Sequence, residues 1–198
     1  MTSFTPPTRL LMISCPGTRA QREGRFPADE ALDEHARKAL AGVNWKPHGQ
    51  PKVWVSPETS ALETAQAFSL PADVAPELRE CEYGDWSGRS LEDVLNEDAE
   101  GLSAWLSDVT AAPHSGESFD NEMTRVAAWL ETRPSGIVIT HGSIIRAAVV
   151  HALIAPSAAF LRIEVAPLTM TDLRFGNGRW TVRSVGVPLP TTGTPDAW

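Results

Sequence analysis

The stretch Gly136-Ile-Val-Ile-Thr-His141-Gly-Ser-Ile-Ile-Arg146-Ala-Ala-Val-Val-His151 changes its hydrophobic period at a single histidine. Up to Thr140 it is an apolar, β-branched run of the kind that forms a buried strand. From Ser143 onward Ile144, Ile145, Ala148, Val149 and Leu153 recur at helical spacing. His141 and Gly142 are thus predicted on the turn between a strand's carboxyl end and a helix's amino end. In an open α/β sheet that turn borders the ligand crevice, where strand ends leave space and the helix offers unpaired N–H groups. A lone histidine more often only hydrogen-bonds its neighbours, but this one stands where ligands bind.

The same alternation of strand and helix periods runs through the chain. Arg9–Ile13 reads as a strand, broken by Ser14-Cys15-Pro16-Gly17-Thr18. Asp29–Leu40 carries Leu32, Ala36 and Leu40 four apart and predicts a helix. Lys52–Val55 is a second strand, and Ser56-Pro57 opens a helix over Glu58–Phe68 as N-cap and first-turn proline. Leu78–Gly88 has no period and holds Glu80, Glu82 and Asp85 with Tyr83 and Trp86, which suits either a solvated acidic loop or one that lines a site. A surface helix is predicted over Glu92–Trp105. After the loop Ala112–Ser118, the apolar stripe Phe119, Met123, Val126, Ala127 and Leu130 predicts another helix. Phe160–Val165 and Leu168–Phe175 read as strands, and Asn177-Gly178 turns the second of them into a hairpin with Arg179–Ser184. Residues 1–8 read as a loose lead-in and the Pro- and Thr-rich residues 185–198 as a tail. Together these elements predict one α/β domain over residues 1–198, a three-layer sandwich with a mostly parallel central sheet, helices on both faces and a late antiparallel hairpin. Cys15 and His141 both follow parallel strands, so if those strands are neighbours the two side chains share one crevice.

A chain of 198 residues suits one well-buried domain. Its formal net charge of −8 argues against nucleic acid or an anionic membrane as the main partner, because both demand a basic face. The apolar run Leu10–Cys15 is far too short to cross a bilayer. Two cysteines, Cys15 and Cys81, without a secretory signal point to the reducing cytoplasm rather than to a disulfide framework. No histidine or cysteine pair has metal-ligand spacing, so neither a metal nor a cofactor is expected.

Several motifs in order resemble those of the histidine phosphatase superfamily, the phosphoglycerate mutase-like proteins. The turn after Leu10, with Gly24-Arg25-Phe26 and Glu30-Ala-Leu-Asp33, is similar to the family's opening block. Ser56-Pro57 with Ala61 and Thr64-Ala65 is similar to the second, and Leu78-x-Glu80 with Gly84, Trp86 and Gly88 to the third. Gly116-Glu117-Ser118 and Thr140-His141-Gly142 with Arg146 complete the series. The resemblance covers roughly residues 9–184 and implies the family fold, a small phosphomonoester as substrate and no cofactor. It implies Glu80 as the acid, His141 as a stabiliser of the transition state, and Cys15 at the position of the phosphoryl-accepting nucleophile. Ser14, Thr18, Arg25, Ser60, Glu117, Ser118 and Gly142 fall at substrate-binding positions of the matched blocks.

The chain departs from the family at those positions that handle phosphate. Where the family has Arg-His-Gly, Ser14-Cys15-Pro16 stands, and Ser60 occupies the place of a second arginine. Phosphoryl transfer depends on positioning and on charge-assisted bonds to the equatorial oxygens. Losing one such donor costs on the order of 10²–10³ in rate. Arg19, Arg22 and Arg25 are the candidates to replace the clamp. Cysteine-dependent phosphatases use Cys-x5-Arg, and here Gln21 stands at the arginine's place with Arg22 one position late. Three readings therefore stand on the sequence. The first is a phosphatase-like hydrolase of impaired or altered chemistry. The second is a pseudophosphatase that binds a ligand or partner without turnover, and the third an enzyme of another class reusing the crevice.

Overall fold

The computed structural model describes residues 8–191 apart from Arg133. Among these residues one six-stranded sheet carries the fold, in the order β3-β2-β4-β1-β5-β6. Its strands are β1 (Thr8–Ser14), β2 (Val53–Val55), β3 (Asp73–Val74), β4 (Gly136–Thr140), β5 (Thr169–Gly176) and β6 (Arg179–Pro188). β3, β2, β4 and β1 are parallel, while β5 and β6 run antiparallel as an edge hairpin beside β1. The helices are α1 (Arg19–Arg22), α2 (Glu34–Ala41), α3 (Thr59–Ala67), α4 (Leu91–Glu97), α5 (Ala99–Ser107), α6 (Phe119–Leu130) and α7 (Gly142–Leu153).

The sheet has a buried cluster on each face. One joins Leu10, Met12 and Val138 to the apolar sides of α6 and α7, with Phe119, Val126, Leu130, Ile144 and Ala148. The other joins Ile13, Val53, Val55, Ile137 and Ile139 to Ala61 and Ala65 of α3. Alternate residues of β1 and β4 thus serve opposite layers, as strand geometry requires of a sheet covered on both faces. The α/β sandwich expected from the sequence is the fold observed.

Several local boundaries differ from the sequence reading. The helix expected from Asp29 begins at Glu34, because Asp29 takes a left-handed φ of 51° and Asp33 caps the helix, its carboxylate accepting from Ala36 N–H at 2.8 Å. Leu32 still packs with Ala36 and Leu40, so the periodic trio is a genuine cluster although its first member precedes the helix. The single helix expected over Glu92–Trp105 is two, since Asp98 leaves helical geometry and caps α5 by accepting from Gly101 N–H at 2.9 Å. Phe160–Val165 is not a strand, and Ser157–Arg162 forms a 3₁₀ turn instead. The edge of β1 that it could have joined is occupied by β5, and Phe160 is drawn inward against Phe119 at 4.7 Å between ring centres. Leu153, placed on the apolar face of α7 by spacing, is exposed at its last turn.

At the ends, Thr8 already belongs to β1, and the rest of the expected lead-in, residues 1–7, lies outside the described residues. The expected tail is strand at its start: β6 continues through Val185 and Val187 to Pro188, Leu189 is buried, and Thr191 bridges to Val43. Residues 192–198 lie outside the described residues.

Candidate active site

β1 and β4 are direct parallel neighbours, with Ser14 opposite Thr140, and Cys15 N–H extends the ladder by donating to the Thr140 carbonyl at 2.8 Å. Cys15 and His141 therefore leave adjacent strands at the same end. Both line one cleft of about 570 Å³, together with Ser14, Thr18, Arg25, Glu80 and Gly142. The acidic loop is held over this strand end by two hydroxyls. Ser56 and Thr140, 2.7 Å apart, reach the Leu78 carbonyl at 2.5 and 3.4 Å. Leu78–Gly88 is thus a structured loop that carries Glu80 into the cleft.

His141 is buried and held from both sides by carboxylates. Its Nε2 lies 3.0 Å from Glu58 Oε2 and its Nδ1 3.5 Å from Glu80 Oε2. The observed partners are acids, because Glu58 at the start of α3 and Glu80 in the loop converge on the same strand end. Burial pulls the imidazole toward neutrality, but the charge of Glu80, with the hydrogen bond and charge of Glu58, outweighs it and holds the ring above its usual range. Burial also raises Glu80; the His141 charge opposes this, while Glu58, Glu30 and Asp29 reinforce it. With one ring nitrogen hydrogen-bonded to Glu58 and the other facing Glu80, an imidazolium is the favoured state.

Glu58 escaped the sequence reading, which took Ser56-Pro57 only as a helix start. A signal was present: the residue follows β2, which pairs with β4, so its side chain leaves the sheet at the same end as His141. As N-cap of α3 it makes no side-chain capping bond. Its carboxylate instead joins His141 to the acid loop, with Oε1 accepting Glu80 N–H at 3.0 Å.

Cys15 packs into the apolar layer with Ile13, Val55, Ala61 and Ala65. Burial pushes its thiol far above the ordinary range, the charges of Glu80 and Glu58 push the same way, and the Thr64 hydroxyl opposes only in part. A cysteine nucleophile needs an electropositive, partly exposed setting, and this thiol has the reverse.

The arginines that could have replaced the missing clamp are engaged elsewhere. Arg19 pairs with Glu23, and Arg22 with Asp33 and the Gly17 carbonyl. Arg25 reaches the cleft but donates to the Gly88 carbonyl at 3.3 Å and lies 3.5 Å from Glu23. Two acids that do not line the cleft are tied to backbone: Asp29 accepts Thr59 N–H at 2.7 Å and Glu30 accepts Ala20 N–H at 3.1 Å. Ser14 is committed to packing the β5 entrance, its hydroxyl donating to the Ala166 carbonyl at 2.7 Å and accepting Thr169 N–H at 3.0 Å. Thr18 caps α1. Gly142 lets α7 start against Val165, whose carbonyl would sit 3.2 Å from an added Cβ.

Among the remaining sequence candidates, Ser60, Glu117 and Ser118 do not line the cleft. Ser60 is buried in the first turn of α3, and Ser118 caps α6 by accepting Asn121 N–H at 3.2 Å. Glu117 braces the acid loop from behind. It takes a bidentate pair from Arg125 at 2.6 and 3.0 Å and a third bond from Arg79 at 3.1 Å. Among the described residues, no group of three or more His, Cys, Asp or Glu side chains is placed to hold a metal ion, and no helix is long and apolar enough to cross a membrane.

A mostly parallel sheet covered by helices on both faces, with an antiparallel edge hairpin, is the phosphoglycerate mutase-like fold. The sequence model of the histidine phosphatase superfamily (branch 1) matches residues 22–188, and the chain belongs to that superfamily. Its relatives include a bifunctional protein of Mycobacterium tuberculosis, 28% identical over 196 residues, covering 90% of this chain and 54% of that protein. The chain therefore spans about half the length of the first curated relatives it matches. A glucosyl-3-phosphoglycerate phosphatase of M. tuberculosis is 29% identical over 174 residues, covering 77% and 74% of the two chains. Among solved structures, one titled Mycobacterial hydrolase 1 superposes with a TM-score of 0.80 at 25% identity, covering 92% of this chain and all of the other.

Proposed function

We propose that this chain binds a small organic ligand in the β1/β4 cleft and turns over phosphomonoesters poorly or not at all. The observation that carries the reading is His141 held between Glu58 and Glu80. In a phosphoryl-transfer site the charge facing the substrate must be positive, because the transition state spreads negative charge over three oxygens. Here Glu58 and Glu80 flank His141, Cys15 is a buried thiol, and Arg19, Arg22 and Arg25, the arginines that follow it, are paired with Glu23, Asp33 or backbone carbonyls. A dianion beside His141 would meet the two carboxylates, and none of the three arginines after Cys15 is free to clamp it. The reducing cytoplasm is the proposed location, supported by two free, buried cysteines.

A second reading, slow hydrolysis of a phosphomonoester, is favoured by Glu80. Its burial raises the carboxyl, the direction a general acid requires. Relatives named for phosphatase activity, on adenosylcobalamin/alpha-ribazole and on glucosyl-3-phosphoglycerate, support that class of substrate.

Phosphate release from 4-nitrophenyl phosphate separates the two. The binding reading expects background rates from the wild type and from Glu80→Gln alike. Wild-type turnover that Glu80→Gln lowers about 10²-fold or more, within the range of general acid catalysis, would establish the second reading. Turnover abolished by Cys15→Ser would refute both accounts of the site and make the thiol the nucleophile.

A further inference from the structure

Away from the deep end, the cleft is walled by aromatic side chains in continuous contact. Phe26 packs on Tyr83 and Trp105 at 5.3 Å, Trp105 on Phe119 at 5.3 Å, and Phe119 on Phe160 at 4.7 Å. Phe26, Tyr83, Trp105 and Phe119 line the cleft, and Leu91 and Leu106 stand at it with much of their surface exposed. The series ends at Arg146, whose guanidinium lies over the Phe160 ring, 5.7 Å from its centre.

Arg146 differs from every other cation near the cleft. Arg25 is paired with Glu23 and donates to Gly88, whereas Arg146 makes no hydrogen bond or ion pair among the described residues. Its Nε is fully buried without an acceptor, and the indole N–H of Trp105 is buried without one as well. A half-buried guanidinium normally finds an acceptor, since a desolvated donor left unmade is costly. Stacking on Phe160 pre-orients its planar fork, so less entropy is lost when a ligand is bound. The side chain comes from the second turn of α7 and lines the same cleft as His141. The acidic residues of the deep end, Glu58 and Glu80, already face His141 rather than Arg146.

We propose that Arg146 is the anion anchor of this cleft. The ligand is a monoanionic organic acid, a carboxylate on a flat aromatic body, with its carboxylate on the Arg146 guanidinium and its body along Phe26, Tyr83, Trp105 and Phe119. One planar guanidinium matches one carboxylate in charge and geometry. A phosphate dianion would bring a second charge that this end does not neutralise and the deep end repels. The inference rests on the reading of the cleft as a binding site, and it specifies that site's ligand.

Isothermal titration calorimetry on the full chain tests it with three probes that share one body: 3-phenylpropanoate, 3-phenylpropanamide and 2-phenylethyl phosphate. The carboxylate is expected to bind about tenfold or more tighter than the neutral amide, and tighter than the phosphate ester, through its charge-assisted fork. Arg146→Gln should weaken the carboxylate by about tenfold or more and leave the amide unchanged, while Arg146→Lys keeps part of the gain. Equal binding of acid and amide, tighter binding of the phosphate ester, an unaffected Arg146→Gln, or no carboxylate binding up to about 10 mM, a weak limit even for a small ligand, would each overturn the proposal. The acid-to-amide ratio is read on the wild type, so the test stands even if Arg146→Gln fails to fold. Phosphate release by the wild type would sink the binding-only reading without touching Arg146. Loss of the acid preference would remove the Arg146 assignment and leave the turnover reading as it was.

Discussion

Glu122 makes a quantitative prediction about the stability of this fold. It lies on α6, wholly buried, and neither of its oxygens makes a well-aligned hydrogen bond. Burial pushes its carboxyl up to about 8; Ser143 and Arg125 oppose this, while Glu117 and Glu80 add to it. In the unfolded chain the same group titrates near 4.5. The folded state therefore binds an extra proton between these values, so stability is greatest below the lower one and falls as pH rises toward the upper one. For a single group with these two constants, the loss between pH 5 and pH 8 is about 3.5 kcal/mol. Water entry on ionisation would reduce this, giving an expected range of about 2–4 kcal/mol. His141 and Glu80, also raised, slope the same way, so the Glu122 share must be isolated by difference. Urea unfolding of wild type and Glu122→Gln at pH 5, 6, 7 and 8 provides it. The variant should match or fall slightly below the wild type at pH 5 and exceed it at pH 8, because a neutral amide has no charge to desolvate. Parallel stability curves for the two proteins across this range would refute the burial account of Glu122.

Two shorter predictions concern the site and its brace. Glu58→Gln should move the His141 titration, followed by imidazole NMR, downward. His141 contributes stability below its unfolded value that is lost as pH rises through its raised folded value, so the variant should lose about 1–2 kcal/mol at pH 6 and less at pH 8. An unmoved titration would mean that Glu80 alone sets the ring's charge. Gly84→Ala should destabilise by about 3 kcal/mol or more in thermal melts, because Gly84 has a φ of 46° and an added Cβ would overlap the His114 carbonyl. A melting temperature within a degree of the wild type would contradict the close loop packing.

The fold was legible where periodicity and topology agree. Gly136–Thr140 and Ile144–Val149 change period at His141, and that change alone places the histidine at a strand end. The pairing of β1 with β4, which brings Cys15 to His141, was a condition of that reading, and the long-range sheet order supplies it. Local pattern failed where long-range packing decides the outcome. Phe160–Val165 alternates like a strand, but β5 holds the only adjacent edge and Phe160 is worth more buried against Phe119. Asp98 splits a helix because an aspartate serves better as a cap than inside one. In the site, Cys15, His141 and Glu80 were readable as residues sharing a cleft, whereas Glu58 and Arg146 took on meaning only once their partners were known. Glu58 is defined by a ring 83 residues away in sequence, and Arg146 by having no hydrogen bond or ion pair among the described residues. No local pattern encodes either relation.

The missing guanidinium groups and the presence of Glu58 are two sides of one electrostatic arrangement. A buried imidazolium requires a counter-charge, because an unpaired ion in such a setting loses several kcal/mol of hydration. In a phosphatase cycle the substrate's phosphoryl oxygens can supply that charge and the arginines balance the excess. On the proposed reading, with Ser14 and Ser60 where the family resemblance implies arginines, Glu58 is the counter-charge that faces His141 in the resting site. On that reading, replacing Cys15 by histidine returns an imidazole to a cleft that still lacks the two arginines. Cys15→His alone should gain little hydrolysis of 4-nitrophenyl phosphate, and adding Ser14→Arg and Ser60→Arg should gain more. Removing the built-in counter-charge as well, by Glu58→Leu, should raise the rate beyond the product of the separate steps, because groups acting on one phosphoryl centre work as a unit. The assay is phosphate release from the single, triple and quadruple variants, each shown to be folded. Full activity from Cys15→His alone would show that Glu58 exerts no hold on His141 during turnover. A folded quadruple variant no faster than the triple would remove Glu58 from the account.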